Sequence, residues 1–272
     1  MCLLVLGVVV LAGCSTTRSI SHSEYRESTR GYFPRPNESD PGFEYKGELS
    51  EFDVLGITPG ETASESEIRQ ALNSSKRVTL RPGDSILLVQ SGAMFPDGGM
   101  VTNLSKHFRV VPFSGVPRTP WRALHRDDEG RDAQSYSKSL RLAAAHGGCD
   151  IIICYWGILE SATENLPGRT VSWLPVMNWI VPDSRQHMRI RLKIALIDVR
   201  TGNWSMLGPP PFEDVRNSRS AKRGAVDQQQ VEILKARAYA AGAEELMKLQ
   251  SRVISSAGAM IISTAGSQTA FN

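Results

Sequence analysis

Between Met188 and Leu196 every even position is apolar (Met188, Ile190, Leu192, Ile194 and Leu196), while Arg189, Arg191 and Lys193 stand between them. A two-residue period fits an extended strand, whose successive side chains point to opposite faces, so one face is buried and the other begins basic. Such a strand needs partners, and the chain supplies them. Ser85–Gln90, Phe108–Phe113 and Ile151–Trp156 read as further strands, and Arg200-Thr201-Gly202-Asn203 turns the chain into a short one at Trp204–Leu207. Helices are predicted from Thr62 or Ser64 to Asn73, about Met100 to Lys106, Asp132 to His146, and about Val226 to Leu249. The third carries Tyr136, Leu140 and Ala143 or Ala144 on one side and ends at Gly147-Gly148. The last places Val231, Leu234, Ala238, Gly242, Leu246 and Leu249 on one side. Helices alternating with strands, then a hairpin and a closing helix, predict an α/β fold with an α+β tendency. It is a mixed β-sheet of about five strands covered by helices in a single domain over residues 51–250.

On either side of that domain the pattern fails. Residues 14–50 are rich in Ser, Thr, Arg, Pro and Gly and read as a flexible tether, although Tyr25, Tyr32, Phe33, Phe43 and Tyr45 could equally dock on the domain. Residues 251–272 are small-residue-rich and read as a poorly ordered or loosely packed tail. A formal net charge of +3, from 31 basic and 28 acidic side chains, gives no reason to invoke nucleic acid. Of four cysteines, Cys2 and Cys14 belong to the leader. If Cys149 and Cys154 share one strand, they face opposite ways about 16 Å apart, beyond disulfide reach, so both read as buried free thiols.

Leu3–Ala12 is an apolar run closed by Leu11-Ala12-Gly13-Cys14. This resembles the lipobox of bacterial lipoproteins. The resemblance implies that residues 1–13 are a signal peptide and that Cys14 receives a diacylglyceryl group, becomes the first residue and is then acylated, typically with palmitate. As a helix the apolar run would reach only about 18 Å, short of the ~30 Å hydrocarbon core, which argues against a transmembrane anchor. Three acyl chains exceed the two signals needed for stable anchoring. Met1-Cys2-Leu3-Leu4 carries no positive charge, unlike the usual leader, which points to a start codon upstream. Ser15 replaces the Asp that signals inner-membrane retention, so the resemblance favours the periplasmic side of the outer membrane.

A second resemblance rests on the "VVPF" strand, the passage Ala143-Ala144-Ala145-His146-Gly147-Gly148-Cys149-Asp150 into a strand, and the hairpin Ile197-Asp198-Val199-Arg200-Thr201-Gly202. Over roughly residues 60–250 these look like the α/β domain of curli-secretion-type and penicillin-binding-protein-activator lipoproteins. The resemblance implies protein–protein roles in the envelope rather than catalysis. The amphipathic membrane hairpins of a curli-type pore are not evident.

Chemistry-bearing constellations are sparse. The sequence contains no H-E-x-x-H, G-x-S-x-G or G-x-x-x-x-G-K motif. Ser91 and Ser114 each follow a strand as a nucleophile would, but ordinary turn serines do so too. Asp97, His107 and Asp150 would need tertiary convergence. His146, Cys149 and Cys154 have part of a zinc spacing without a fourth ligand, so no metal or cofactor is expected. Asp198 with Thr201-Gly202 reads as a turn stabilised by side-chain hydrogen bonds. The basic run Arg216–Arg223 reads as a solvated loop that could touch anionic lipid or peptidoglycan. Between Val171 and Pro182, the residues Trp173, Leu174, Met177, Trp179 and Ile180 form an apolar stretch that is either a contact for a partner or membrane, or a lid on the sheet. These features favour a membrane-anchored, non-enzymatic envelope lipoprotein that binds another envelope protein or copies of itself. The alternative is a periplasmic hydrolase with a serine or metal site.

Overall fold

The protein is described here by a computed structural model covering residues 15–21, 48–58, 60, 62–74, 78–117, 129–165, 184–218 and 223–266. Its centre is the hairpin of β4 (Ile151–Asn165) and β5 (Ser184–Asp198), paired over their whole lengths. Fifteen residues of strand reach about 50 Å, so this hairpin is long enough to belong to two different sheet environments.

Along its first half, β4 pairs in parallel with β2 (Ser85–Gln90), which pairs in parallel with β3 (Arg109–Phe113). On the other side the matching half of β5 pairs with β6 (Trp204–Leu207). This gives the order β3-β2-β4-β5-β6. Both faces are covered. Ile86, Leu88, Ile151, Ile153 and Tyr155 pack with α3 (Gly98–Ser105) and α5 (Arg223–Gly266). Leu87, Val89, Ile152 and Cys154 pack with α1 (Glu51–Leu55) and α4 (Glu129–His146). Strands buried on both sides are continuous apolar runs, as Ile86–Val89 and Ile151–Cys154 are.

In its second half the hairpin gains other neighbours. The strand β1 (Ser15–Ser19) pairs antiparallel with β4, Ser15 opposite Ala162 and Ser19 opposite Ile158. The strand β7 (Phe212–Ser218) pairs antiparallel with β5. Here α5 covers one face, over Leu159, Met188 and Ile190, and alternation returns because the other face meets water. The remaining helix, α2 (Glu65–Ser74), begins with Glu67 bonded back to the Ser64 backbone N–H (2.7 Å) and the Ser64 hydroxyl accepting from Glu67 N–H (3.3 Å), a reciprocal cap.

The mixed, helix-covered α/β sheet is as the sequence predicts, but it has seven strands among the described residues rather than about five. The additional strands are β1 and β7. Ser15–Ser21, assigned to the tether, instead enter the fold, with Ile20 buried in the α5-side core; of residues 14–50, Cys14 and 22–47 lie outside the described residues. Glu48–Ser50 and α1 also belong to the body, Ser50 capping α1 through the Phe52 and Asp53 bonds of a capping box. At the other end α5 continues as helix through Gly266. Small residues do not oppose helix as Gly or Pro runs would, and Ala, Met and Ile carry it on. Cys149 and Cys154 are free and buried as expected, but for a different reason. Cys149 sits in the turn ahead of β4, so strand alternation does not separate them and both join the α1/α4-side core.

Candidate functional site

Two arrangements collect the polar chemistry of this fold. The first is buried at the C-terminal end of β2, where the connections to β3 and from β3 to β4 leave for opposite faces. In α/β sheets this switch point is the usual place for ligands. Here side chains fill it. Tyr155 Oη donates to Gln90 Oε1 (2.6 Å), which also accepts from Asp97 N–H (2.7 Å). Gln90 Nε2 donates to Ser21 Oγ (2.9 Å), and that hydroxyl donates to the Ser91 carbonyl (2.7 Å). From α5, Lys235 Nζ reaches Asp97 Oδ2 (2.9 Å) and the Ile20 carbonyl (3.3 Å), and the Tyr239 hydroxyl donates to the same carboxylate oxygen. Tyr155 and Tyr239 meet edge to face, ring centroids 5.9 Å apart.

Each partner has a local reason to be there. Lys235 and Tyr239 are four apart and so lie on one side of α5, beside the apolar stripe of Val231, Leu234 and Ala238. Asp97 starts α3, where its carboxylate is favoured by the helix dipole and its carbonyl accepts from Met100 and Val101. The loop returns tightly: a Cβ on Gly115 would lie 1.8 Å from the Gln90 carbonyl oxygen, so only glycine fits. Chemically, the network joins the end of β1, the β2 loop and α5. A buried Lys–Asp pair with additional hydrogen bonds is a position-fixing device.

The second arrangement is the open face of the β1-β4-β5-β7 half-sheet. Among the described residues no helix lies across it, α1 reaching only its edge at Lys193 through Glu51. Down β5 run Arg185, His187, Arg189, Arg191 and Lys193, all side chains about half exposed. Glutamates from neighbouring elements answer them. Glu160 bridges Arg189 and Arg191, Glu213 meets Arg189 at 3.3 Å, Glu164 lies 3.6 Å from Arg185 and 3.5 Å from His187, and Glu51 meets Lys193. The Arg189 hydrogen bond, helped by the charges of Arg189 and Arg191, holds the Glu160 carboxyl below its ordinary value. Ile158 and Val215, 40% and 50% exposed, give the same face apolar points.

The structure separates the other candidates. Ser91 is buried and its hydroxyl donates to the Leu49 carbonyl (3.3 Å), while Ser114 accepts from Val116 N–H in a local turn. Asp97 lies at the C-terminal end of β2, whereas His107 and Asp150 bond through their backbones to Gly83 and Ser85 at the opposite end. These three therefore do not converge. His146 is exposed at the end of α4 while Cys154 is wholly buried, and burial pushes both the Cys149 and Cys154 thiols up, away from nucleophile or ligand chemistry. Among the described residues no group of three or more His, Cys, Asp and Glu side chains is arranged to hold a metal. Asp198 Oδ1 accepts from the Thr201 N–H (2.7 Å) and hydroxyl (2.9 Å), as a turn residue does. Arg216 lies in β7 and pairs with Asp214 (2.8 Å), where a loop was expected; residues 219–222 lie outside the described residues. So do Cys14 and Trp173, Leu174, Met177, Trp179 and Ile180. No described helix is long and apolar enough to cross a membrane.

The sequence reading missed the Lys235–Asp97–Tyr239 cluster. A lysine flanked by Leu234 and Ala238 on the inner side of a helix was the available signal. No curated protein matches the chain. The family model described as YafT bacterial lipoprotein matches residues 50–249, nearly the whole described body from α1 onward. That match bears on the lipoprotein reading; it does not carry the finer likeness to curli-secretion and penicillin-binding-protein-activator domains. By this match over most of its length, the chain belongs to the YafT bacterial lipoprotein family.

Proposed function

We propose that this protein is a non-enzymatic binding or assembly module of the cell envelope, held through lipidated Cys14 on the periplasmic side of the outer membrane. Its contact surface for an envelope protein or a second copy is the open face of the β1-β4-β5-β7 half-sheet. The observation that carries the reading is a four-stranded face without a described helix over it, whose polar groups are charged yet paired and whose exposed Ile158 and Val215 can be desolvated. Alternating Arg and Glu side chains favour an interface with selectivity, because a wrong partner sets like charges together.

Photocrosslinking tests this directly. A photoreactive residue at Val215 should give a discrete adduct in intact cells, and one at exposed Lys138 on α4 should not. Equal adduct patterns at both positions, or none at Val215, would rule the face out.

A further inference from the structure

We propose that the end of the sheet formed by Asn165, Ser184 and Ser218 rests directly on the lipid headgroups of the membrane that holds Cys14, with the β4–β5 hairpin standing upright from the bilayer. This rests on the lipid-anchor reading of Cys14. The geometry then leaves little freedom. The strand β1 begins at Ser15, the residue after Cys14, and pairs there with Ala162. Cys14 is bonded directly to Ser15, so its Cα lies about 3.8 Å from that of Ser15. The last hairpin pair, Asn165 opposite Ser184, lies three residues past Ala162, on the side from which the chain enters β1, about 10 Å further along the sheet. Ser184 in turn faces Ser218, so β7 ends at the same level.

A strand that could slide would blur this placement, but β1 is pinned at its far end. Ile20 is buried, its N–H donates to the Gly157 carbonyl (2.9 Å), and its carbonyl accepts from Lys235. One residue of chain spans at most about 3.6 Å, so acyl chains on Cys14 bring the bilayer surface to the sheet end itself. The charged or titratable side chains close to that end, Glu164, Arg185 and His187, suit a headgroup layer and would be costly in hydrocarbon. Two connections depart from this end, and their sequences point the same way. The chain between Asn165 and Ser184 carries Trp173 and Trp179, the residue type enriched at membrane interfaces. The chain after Ser218 carries Arg219 and Lys222, which anionic lipid attracts.

The test uses the mature, lipidated full chain in phosphatidylethanolamine–phosphatidylglycerol vesicles containing a headgroup-attached quencher. The native thiols Cys149 and Cys154 are buried, so a fluorophore can be placed on a new cysteine, Glu164→Cys at the proposed membrane end or Arg200→Cys at the opposite end. The two positions are roughly 45 Å apart along the hairpin. Quenching should be several-fold stronger at position 164, and Asn217→Cys, on β7 at the same end, should behave like 164. Equal quenching at all positions, or stronger quenching at 200, overturns the upright seating while leaving the anchor intact. Failure of the unsubstituted protein to float with the vesicles, with Cys14→Ser indistinguishable from it, sinks the anchor itself.

Discussion

Lys235 emerges from a helix whose neighbours on either side are apolar, and it ends against Asp97 and the carbonyl of Ile20. Its side chain is 7% exposed, so removing it strands a carboxylate that is itself mostly enclosed. Lys235→Met is therefore expected to lower stability by about 3 kcal/mol, the size seen when one partner of a buried pair is lost. Chemical denaturation of the two proteins measures it, and a change near zero would mean that Tyr239 alone satisfies Asp97. On the open face the charges act differently, because water screens them. Glu160 has its pKa lowered in the fold, so what it contributes is present in full above the ordinary glutamate value of 4.5 and disappears as pH falls through the depressed one. Thermal melts should show a decline in stability below that value which Glu160→Gln makes shallower; parallel curves would contradict it. Neither residue's role was legible in sequence. Glu160 sits 29 positions from Arg189, and Asp97 138 from Lys235, and nothing local links such pairs.

At the scale of elements, what sequence showed well was whatever had its own period. The alternation from Met188 to Leu196 and the apolar run at Ile86–Val89 lie within β5 and β2. What it missed was held by neighbours. Ser15–Ser19 is a polar stretch with no apolar alternation, and it is a strand because β4 offers it a backbone ladder and Gly157 leaves room for Ile20. A Cβ at Gly157 would fall 2.3 Å from Ile20 Cδ1, so Gly157→Val should push Ile20 out and loosen β1 selectively. Limited proteolysis near Ser19 should then accelerate while the cleavage pattern from Ile86 to Leu196 stays unchanged. An unaltered rate at Ser19 would show that β1 is held by its ladder alone. The Phe212–Ser218 strand was hidden for a related reason: Asn217 lies on the solvated side of β7, and Arg216, on the side where Phe212 meets the core, is half-buried only through its pairing with Asp214.

Taken whole, the molecule is two sheet environments sharing one hairpin. The half near β2 and β3 is enclosed on both faces and carries the α/β character that sequence revealed. The half near β1 and β7 has one enclosed face and bears the candidate contact surface, of which sequence showed only the basic residues of β5 and not the glutamates that pair with them. Both cysteines belong to the enclosed half, so thiol reagents should leave Cys149 and Cys154 unmodified in the native protein and label both after denaturation. Rapid native labelling would mean the α1/α4 layer opens readily.

The pairing of β1 with β4 joins residues far apart in the chain, Ser15 with Ala162, 147 positions on. Closing so large a loop has a high entropic cost before any contact rewards it, whereas the β4–β5 hairpin and the β2 ladder draw on nearer sequence. In time, then, the first folded segment of the chain is the last to be secured. Pulse-labelled hydrogen exchange during refolding should protect Ile152–Tyr155 and Leu192–Leu196 before Thr16–Ser19. Ser15–Ser19 thus stays free of the sheet until the rest of the domain exists to receive it.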